Sequence, residues 1–404
     1  MTNVDLKNEC PNDAKHVLPA VHLFPYRWNL KDAVFTRDKG KVFSCFACGG
    51  GSTMGYKLAG FDVLGCNEID PKMIEAYKAN HNPKYAYLEP IQTFKNRKDL
   101  PKELYELDIL DGSPPCSSFS MAGNRETDWG KEKVFREGQA EQILDTLFFD
   151  FIDLAKELQP KVVIAENVKG LMLGNAISYV RDIYREFDLA GYYVQHWLLN
   201  GSKMGLPQRR ERVFFVALRK DLAGPFMEQV DMFTIMPKLK LEFNEPPIPF
   251  KEVADYEGEP ISEYAKKAWD ARKEGDANIA ESKARVEGMK VSDMNTFYVY
   301  EDKVCQTLTS KGRHGSLLFS KPIRLSKNEF CKIGSYPLDY DFQANNWGYL
   351  IGMSVPPIMT AQIANEVYTQ WLSNLNSFEK TDERGAVFFN KTDLTEKSSI
   401  ETQM

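Results

Sequence analysis

Four shortages constrain this 404-residue chain before any motif does. Its apolar runs all fall short of the ~20 residues that cross a bilayer, and its first fifteen residues are polar and charged, so neither a membrane span nor a signal peptide is expected. Its seven cysteines are odd in number and irregularly spaced, which excludes a disulfide framework and points to reduced thiols in a cytoplasmic setting. Positive charge is not in excess: 51 Lys and Arg against 57 Asp and Glu leave −6, so a histone-like coat is excluded and any polyanion must meet a local patch. Gly (26) and Pro (21) are too scarce for a collagen-like or low-complexity chain. What is present, 43% hydrophobic and 27% charged residues, is a globular composition, with a length that suits one large domain and one smaller.

Repeats at solenoid periods are also missing. Up to about Gly40 no periodicity is sustained, despite the aromatic stretch His22-Leu-Phe-Pro-Tyr-Arg-Trp28, so residues 1–40 read as an N-terminal extension, an appendage. From Lys41 short apolar strands alternate with amphipathic segments, which predicts an α/β fold with a doubly wound, mostly parallel sheet. Strands are expected at 42–47, 61–66, 107–111, 162–165 and 213–218, helices at 54–59 and from Pro71 to about Tyr77, and a long amphipathic stretch at 140–158. Beyond about Asp221 the pattern weakens: Pro246, Pro247 and Pro249 mark a boundary, and 257–290 is mixed in charge and partly helical. Residues 307–332 carry six basic residues against the single acid Glu329, and 358–372 is a last helix. The expected units are 41–223, 224–346, a returning helical region at 347–374, and a polar tail at 375–404.

In an open parallel sheet the carboxyl ends of the strands face one crevice, and here the loops at those ends carry chemistry. Gly49-Gly50-Gly51 follows the first strand and Glu68 ends the second, an acid about 20 positions on that suits ribose hydroxyls of a dinucleotide or an adenosyl group. The pair Cys45-x-x-Cys48 has no second C-x-x-C or His pair to complete a metal site, and Cys45 falls within a strand, so no metal is expected. In Asp111-Gly-Ser-Pro-Pro-Cys-Ser-Ser-Phe-Ser120 two prolines fix the direction of the Cys116 thiol, and the serines offer donors that favour a thiolate. Glu166-Asn167-Val168 ends another strand, where a desolvated carboxyl group can hold a proton for a ring nitrogen. In an extended stretch Gln208, Arg210 and Arg212 project on one side, Arg209 and Glu211 on the other. Each motif alone has a bland alternative: a tight turn, an incidental loop cysteine, a salt-bridged surface.

Taken in order, Phe46-Ala-Cys-Gly-Gly50, Asn67-Glu68, Pro114-Pro-Cys116, Glu166-Asn-Val168, Gln208-x-Arg-x-Arg212 and Gly352-Met-Ser-Val-Pro-Pro357 resemble the C5-cytosine DNA methyltransferases, over about 41–218 and 307–372. The resemblance implies a fold of the S-adenosylmethionine-dependent methyltransferase type. It also implies transfer of a methyl group from S-adenosylmethionine to carbon 5 of a cytosine flipped out of double-stranded DNA, with S-adenosylhomocysteine as product. It makes Cys116 the nucleophile at carbon 6, Glu166 the acid at N3, Asn167 its positioner, and Arg210 with Arg212 the pair that orients the base. Phe46, Ala47, Gly49, Gly50, Glu68, Ile69, Ile91, Pro115 and Ser354 would line the cofactor site. Ser117, Ser120, Gln208, Arg210, Lys311 and Arg313 would meet nucleic acid, 41–223 would be the catalytic domain, and 224–346 would recognise the target.

Several positions depart from the family pattern: Ser44 replaces the usual Asp, Cys48 a Gly, Ile69 an aromatic, Pro90 an Asp, with neighbouring Glu89 as the candidate stand-in, Ser117 a Gln and Met353 an Asn. These bear on cofactor use more than on the catalytic set. Two other functions stay open at this point, an RNA (tRNA) cytosine-5 methyltransferase on the same scaffold and a DNA-binding relative without catalysis; a nicotinamide oxidoreductase would leave Cys116 and Glu166 unexplained. A monomer on DNA in a prokaryotic or viral host is expected, with pairing to a restriction endonuclease, viral self-protection and stand-alone regulation as alternative roles.

Overall fold

A buried strand that breaks into left-handed backbone sets the frame. In the computed structural model, which describes residues 22–115, 132–133, 142–143, 146–173, 176–229, 232, 234–288 and 296–375, β1 (Lys41–Cys45) is buried along nearly its whole length, as the middle of a parallel sheet requires. Phe46, Cys48 and Gly50 then take φ of 53°, 50° and 84°, turning the chain into α1 (Gly51–Leu58). β2 (Asp62–Glu68) returns parallel to β1. Asp70 caps α2 (Pro71–His81) by accepting from Lys72 and Met73 N–H, with Pro71 in the first turn, where its missing donor costs nothing.

β3 (Tyr85–Leu88), β4 (Ile109–Gly112), α3 (Leu147–Leu158), β5 (Val162–Val168), α4 (Ala176–Leu189), β6 (Tyr192–Asn200) and β7 (Glu211–Arg219) complete the sheet and one of its helical layers. Strand order is β3-β2-β1-β4-β5-β7-β6, and β7 alone runs against its neighbours. Alternation along the strands sorts two cores. Phe43, Val163, Ala165 and Phe215 pack under α3 and α4, while Val42, Ile164, Phe214 and Val216 pack under α1 and the C-terminal helix. The amphipathic stretch expected from 140 begins as a helix only at Leu147, and β3 and β6 are strands beyond those expected.

Residues 250–333 divide between two cores: Phe250, Val299, Leu308 and Phe330 share one with Met54 of α1 and Met73 of α2, and the remainder form a small cluster, termed the smaller body. α5 (Glu263–Asp270), α6 (Ile279–Glu287), β8 (Phe297–Val299) and the parallel β9 (Ser316–Leu318) enclose Ile261, Trp269, Ile279, Tyr298 and Leu317. α7 (Lys327–Ile333) and α8 (Trp347–Met353) lead back to α9 (Pro357–Val367), extended by a wider turn over Tyr368–Leu372. α9 docks on α1 through two glycines one turn apart: a Cβ on Gly51 would lie 2.2 Å from the Val355 carbonyl oxygen, and one on Gly55 2.3 Å from that of Pro357.

The described part of the head is no appendage. Phe24 joins the core under α9. Trp28 is buried beside α7 and α8, its indole donating to the Ser335 carbonyl at 3.0 Å, and Asp339 accepts from the backbone of Leu30 and Lys31. Isolated aromatic anchors hold this strap, so no periodicity announces it.

Candidate active site

The acid position is built by strand reversal. In the β5–β7 register Glu166 faces Phe214 and Val168 faces Arg212, so Glu166 and Arg212 are diagonal neighbours on one face of the sheet. Arg212 Nε lies 2.8 Å from Glu166 Oε1, both side chains being largely buried. The carboxyl group is desolvated but not alone: a guanidinium orients one of its oxygens. Asn167, next in the strand, points the other way and donates from Nδ2 to the Pro114 carbonyl at 3.2 Å, while its Oδ1 accepts from Val168 N–H at 2.8 Å. The chain entering the Pro-Pro-Cys loop is thus tethered one residue from Glu166. Pro115 is half-buried beside it; Cys116, Ser117 and Ser120 lie outside the described residues.

Arg210 and Gln208 do not face a base. Arg210 is 2% exposed, and its guanidinium donates to the carbonyls of Leu308, Gly352 and Ser354 at 2.9, 3.2 and 3.0 Å. Burial and the neighbouring Arg212 charge bring its pKa down to about 9, still cationic at neutral pH. Gln208, equally buried, donates to the Ile333 carbonyl and accepts from Leu308 N–H. Both side chains stitch the smaller body to the sheet. Side alternation predicted a common direction for 208, 210 and 212 but not depth, and only Arg212 reaches the Glu166 carboxylate.

At the glycine loop, Glu68 accepts from Cys48 N–H at 2.7 Å through Oε2, and from Ile69 and Asp70 N–H at 2.8 and 2.9 Å through Oε1. Burial raises its pKa against those three donors. The carboxylate braces the loop while Oε2, with a single donor, keeps a lone pair for another. Phe46 and Ile69 are half-buried at the rim, whereas Ala47 packs with Cys66 and Tyr77 and Ile91 with Leu64 and Phe94 in the main core. Their side chains are therefore not a ligand surface. Ser354 accepts from the Tyr336 hydroxyl at 2.6 Å and donates to the Leu350 carbonyl at 2.7 Å, supporting the loop from behind, and Tyr340 donates to the Gly49 carbonyl. Glu89, the stand-in for Pro90, is paired with Arg97 at 2.9 Å. Cys45 lies in the core.

A feature the motifs did not single out is Asp111 at the tip of β4, 4% exposed. Ser44, Ser52 and Tyr56 all donate to its carboxylate, and burial lifts its pKa to about 6. An acid closing an otherwise apolar buried strand was the available signal.

Two clefts open among the described residues. One of about 510 Å³ is lined by Asn200, Arg209, Glu211, Gln306 and Thr307 where the start of β7 meets the smaller body. The other, about 520 Å³, lies in the smaller body between Lys283, Lys311, His314 and Arg324. Of the basic run, Lys332 is buried and donates to the Val253 carbonyl, and Lys327 lies over the Phe342 ring, so the run does not form one cationic face. The Arg313 side chain is outside the described set.

An adenosyl group with an amino-acid tail fits this loop on structural grounds. Gly50, the N-cap of α1, has no side chain to occupy its first turn, where N–H groups suit a carboxylate. A Cβ at Gly50 would meet His81 Nε2 at 2.2 Å, so only glycine permits this close turn.

Comparison with known proteins agrees with this geometry. The chain is 38% identical over 182 residues to the type II methyltransferase M.FnuDI of Fusobacterium nucleatum, covering 45% of this chain and 48% of that one. It is 36% identical over 192 residues to M.NgoPII of Neisseria gonorrhoeae, covering 47% and 51%, so it spans about half the length of these curated relatives. A mutant of Spodoptera frugiperda DNMT2 superposes with a TM-score of 0.54 at 18% identity over 81% of this chain and 99% of that one, a likeness of fold. The family model for C-5 cytosine-specific DNA methylase matches residues 40–369, and the chain belongs to that family.

Proposed function

We infer that the protein is a DNA (cytosine-5-)-methyltransferase that uses S-adenosylmethionine. The observation that carries the reading is the Asn167 bond to Pro114, which ties the entry to the Cys116 loop beside the Glu166–Arg212 pair. S-adenosylmethionine supplies an electrophilic methyl group, and the uncapped α1 N-terminus, Phe46, Gly49, Gly50 and Glu68 would hold it.

On the protein side, the Cys116 thiolate adds to carbon 6 of cytosine while Glu166 gives a proton to N3. Carbon 5 thereby gains the electron density of an enamine. Arg212 holds Glu166 Oε1, leaving Oε2 toward the ring. After carbon 5 has taken the methyl group, loss of its proton to water and elimination of the thiolate from carbon 6 restore the aromatic ring, and N3 returns its proton to Glu166. The atom attacked is inaccessible within a stacked duplex, so the base must be flipped out. The smaller body, whose mixed cleft includes Lys283, Lys311 and Arg324, would take the duplex backbone, phosphate contacts fixing register without reading sequence. Pairing with a restriction endonuclease, as the names of the type II relatives suggest, and action as a monomer complete the reading.

A duplex containing 5-fluorocytosine tests it, because fluorine at carbon 5 cannot leave as a proton and the adduct is trapped. Incubation with S-adenosylmethionine should give a denaturation-resistant protein–DNA band that Cys116→Ser abolishes. Wild-type chain giving no band on duplexes of random sequence, while binding the cofactor, would refute the assignment.

A further inference from the structure

Nothing in the reaction just described uses Asp111, yet it is held with care. Three hydroxyls converge on its carboxylate: Ser44, its directly paired neighbour on β1, Ser52 in the first turn of α1 at 2.7 Å, and Tyr56 one turn later at 3.1 Å. One acid thus joins β1, the helix behind the glycine loop, and β4, whose chain continues through Pro114 to Cys116. An ionised carboxylate only accepts hydrogen bonds, so all three hydroxyl protons must point at it, which fixes the side chains of Ser52 and Tyr56 and with them the first turn of α1.

We propose that Asp111 is a positioning residue for methyl transfer: its ionised carboxylate sets the glycine loop, through the first turn of α1, against the strand that delivers Cys116. The proposal rests on the methyltransferase reading above. Burial makes the charge costly, raising the pKa to about 6 although the three hydroxyls lower it, and Glu166 on β5 adds to the rise. The other groups facing Asp111 are Cys45 on β1, Tyr56 on α1 and Tyr77 on α2, all held neutral by burial. An ionised group kept in so unfavourable a place beside a candidate site points to use in that site.

The test is S-adenosylmethionine binding by calorimetry, with single-turnover methyl transfer, on the full chain from about pH 5 to about pH 8. Wild-type affinity should fall on acidification with a midpoint near 6, where Asp111 gains its proton and releases the hydroxyls. Asp111→Asn should bind about tenfold more weakly at the alkaline end and lose the step. Tyr56→Phe removes one donor that stabilises the charge, so the midpoint should move to higher pH; this variant carries the test by itself if Asp111→Asn does not fold. An Asn variant with wild-type affinity and profile would overturn the proposal. So would a midpoint indifferent to Tyr56→Phe, which would assign the step to Glu68. Wild-type chain that neither binds cofactor nor methylates would instead overturn the methyltransferase reading itself.

Discussion

Arg210 and Arg212, two residues apart, have opposite duties, and substitution separates them. Arg210 donates to three buried carbonyl oxygens, those of Leu308, Gly352 and Ser354. Arg210→Met should therefore cost about 3 kcal/mol or more of folding stability, since it removes a buried charge from its acceptors. Arg212 meets the Glu166 carboxylate, and Arg212→Met should cost less stability but lower the methyl-transfer rate about 100-fold, because it misplaces the acid. Chemical denaturation and single-turnover rates on the same two proteins check both statements; equal stability losses would put the two arginines in one class.

At the scale of elements, the α1–α9 contact depends on hydrogen atoms in place of side chains. Gly55→Ala drives a methyl group toward the Pro357 carbonyl oxygen and should destabilise by about 1–3 kcal/mol as the helices shift apart. Gly224→Ala, which meets nothing within 4 Å and has ordinary φ, should be neutral or slightly stabilising by up to about 1 kcal/mol. Thermal unfolding of the two variants gives the comparison. Much of the sheet was readable because β1, β2, β5 and β7 each hold a short apolar run, such as Val162-Val-Ile-Ala165 and Val213-Phe-Phe-Val-Ala-Leu218, as buried strands require. β6 escaped notice although Tyr192-Tyr-Val-Gln-His-Trp197 is rich in strand formers after Gly191: its edge position mixes polar residues into the run. Glu166-Asn167 stood out because two polar residues close an apolar strand, and the structure sets them against Arg212 and Pro114. The site was misread where a polar side chain serves as mortar, as with Gln208, Arg210 and Ser354, because burial is set by chains distant in sequence.

Across the whole molecule the strap at 22–40 joins two of the cores, Phe24 in one and Trp28 in another. Trp28→Ala removes a buried ring and its bond to Ser335, and should cost about 3–5 kcal/mol. If the head were an appendage, denaturant midpoints for this variant and wild type would coincide. The formal charge of −6 leaves any duplex to be drawn to local cationic clefts rather than to the body at large.

The reversed strand β7 widens what this architecture can offer a ligand. An all-parallel sheet presents its crevice only with residues that follow its strands, so every contributor must come from a downstream connection. With one strand entering from that same end, the approach segment contributes as well, and residues 208–212 arrive at the mouth already joined to Cys305 and Leu308 of the other body. Any load on that body would thus be felt at Arg212 through a few ångströms of extended backbone, with no linker between them to absorb it.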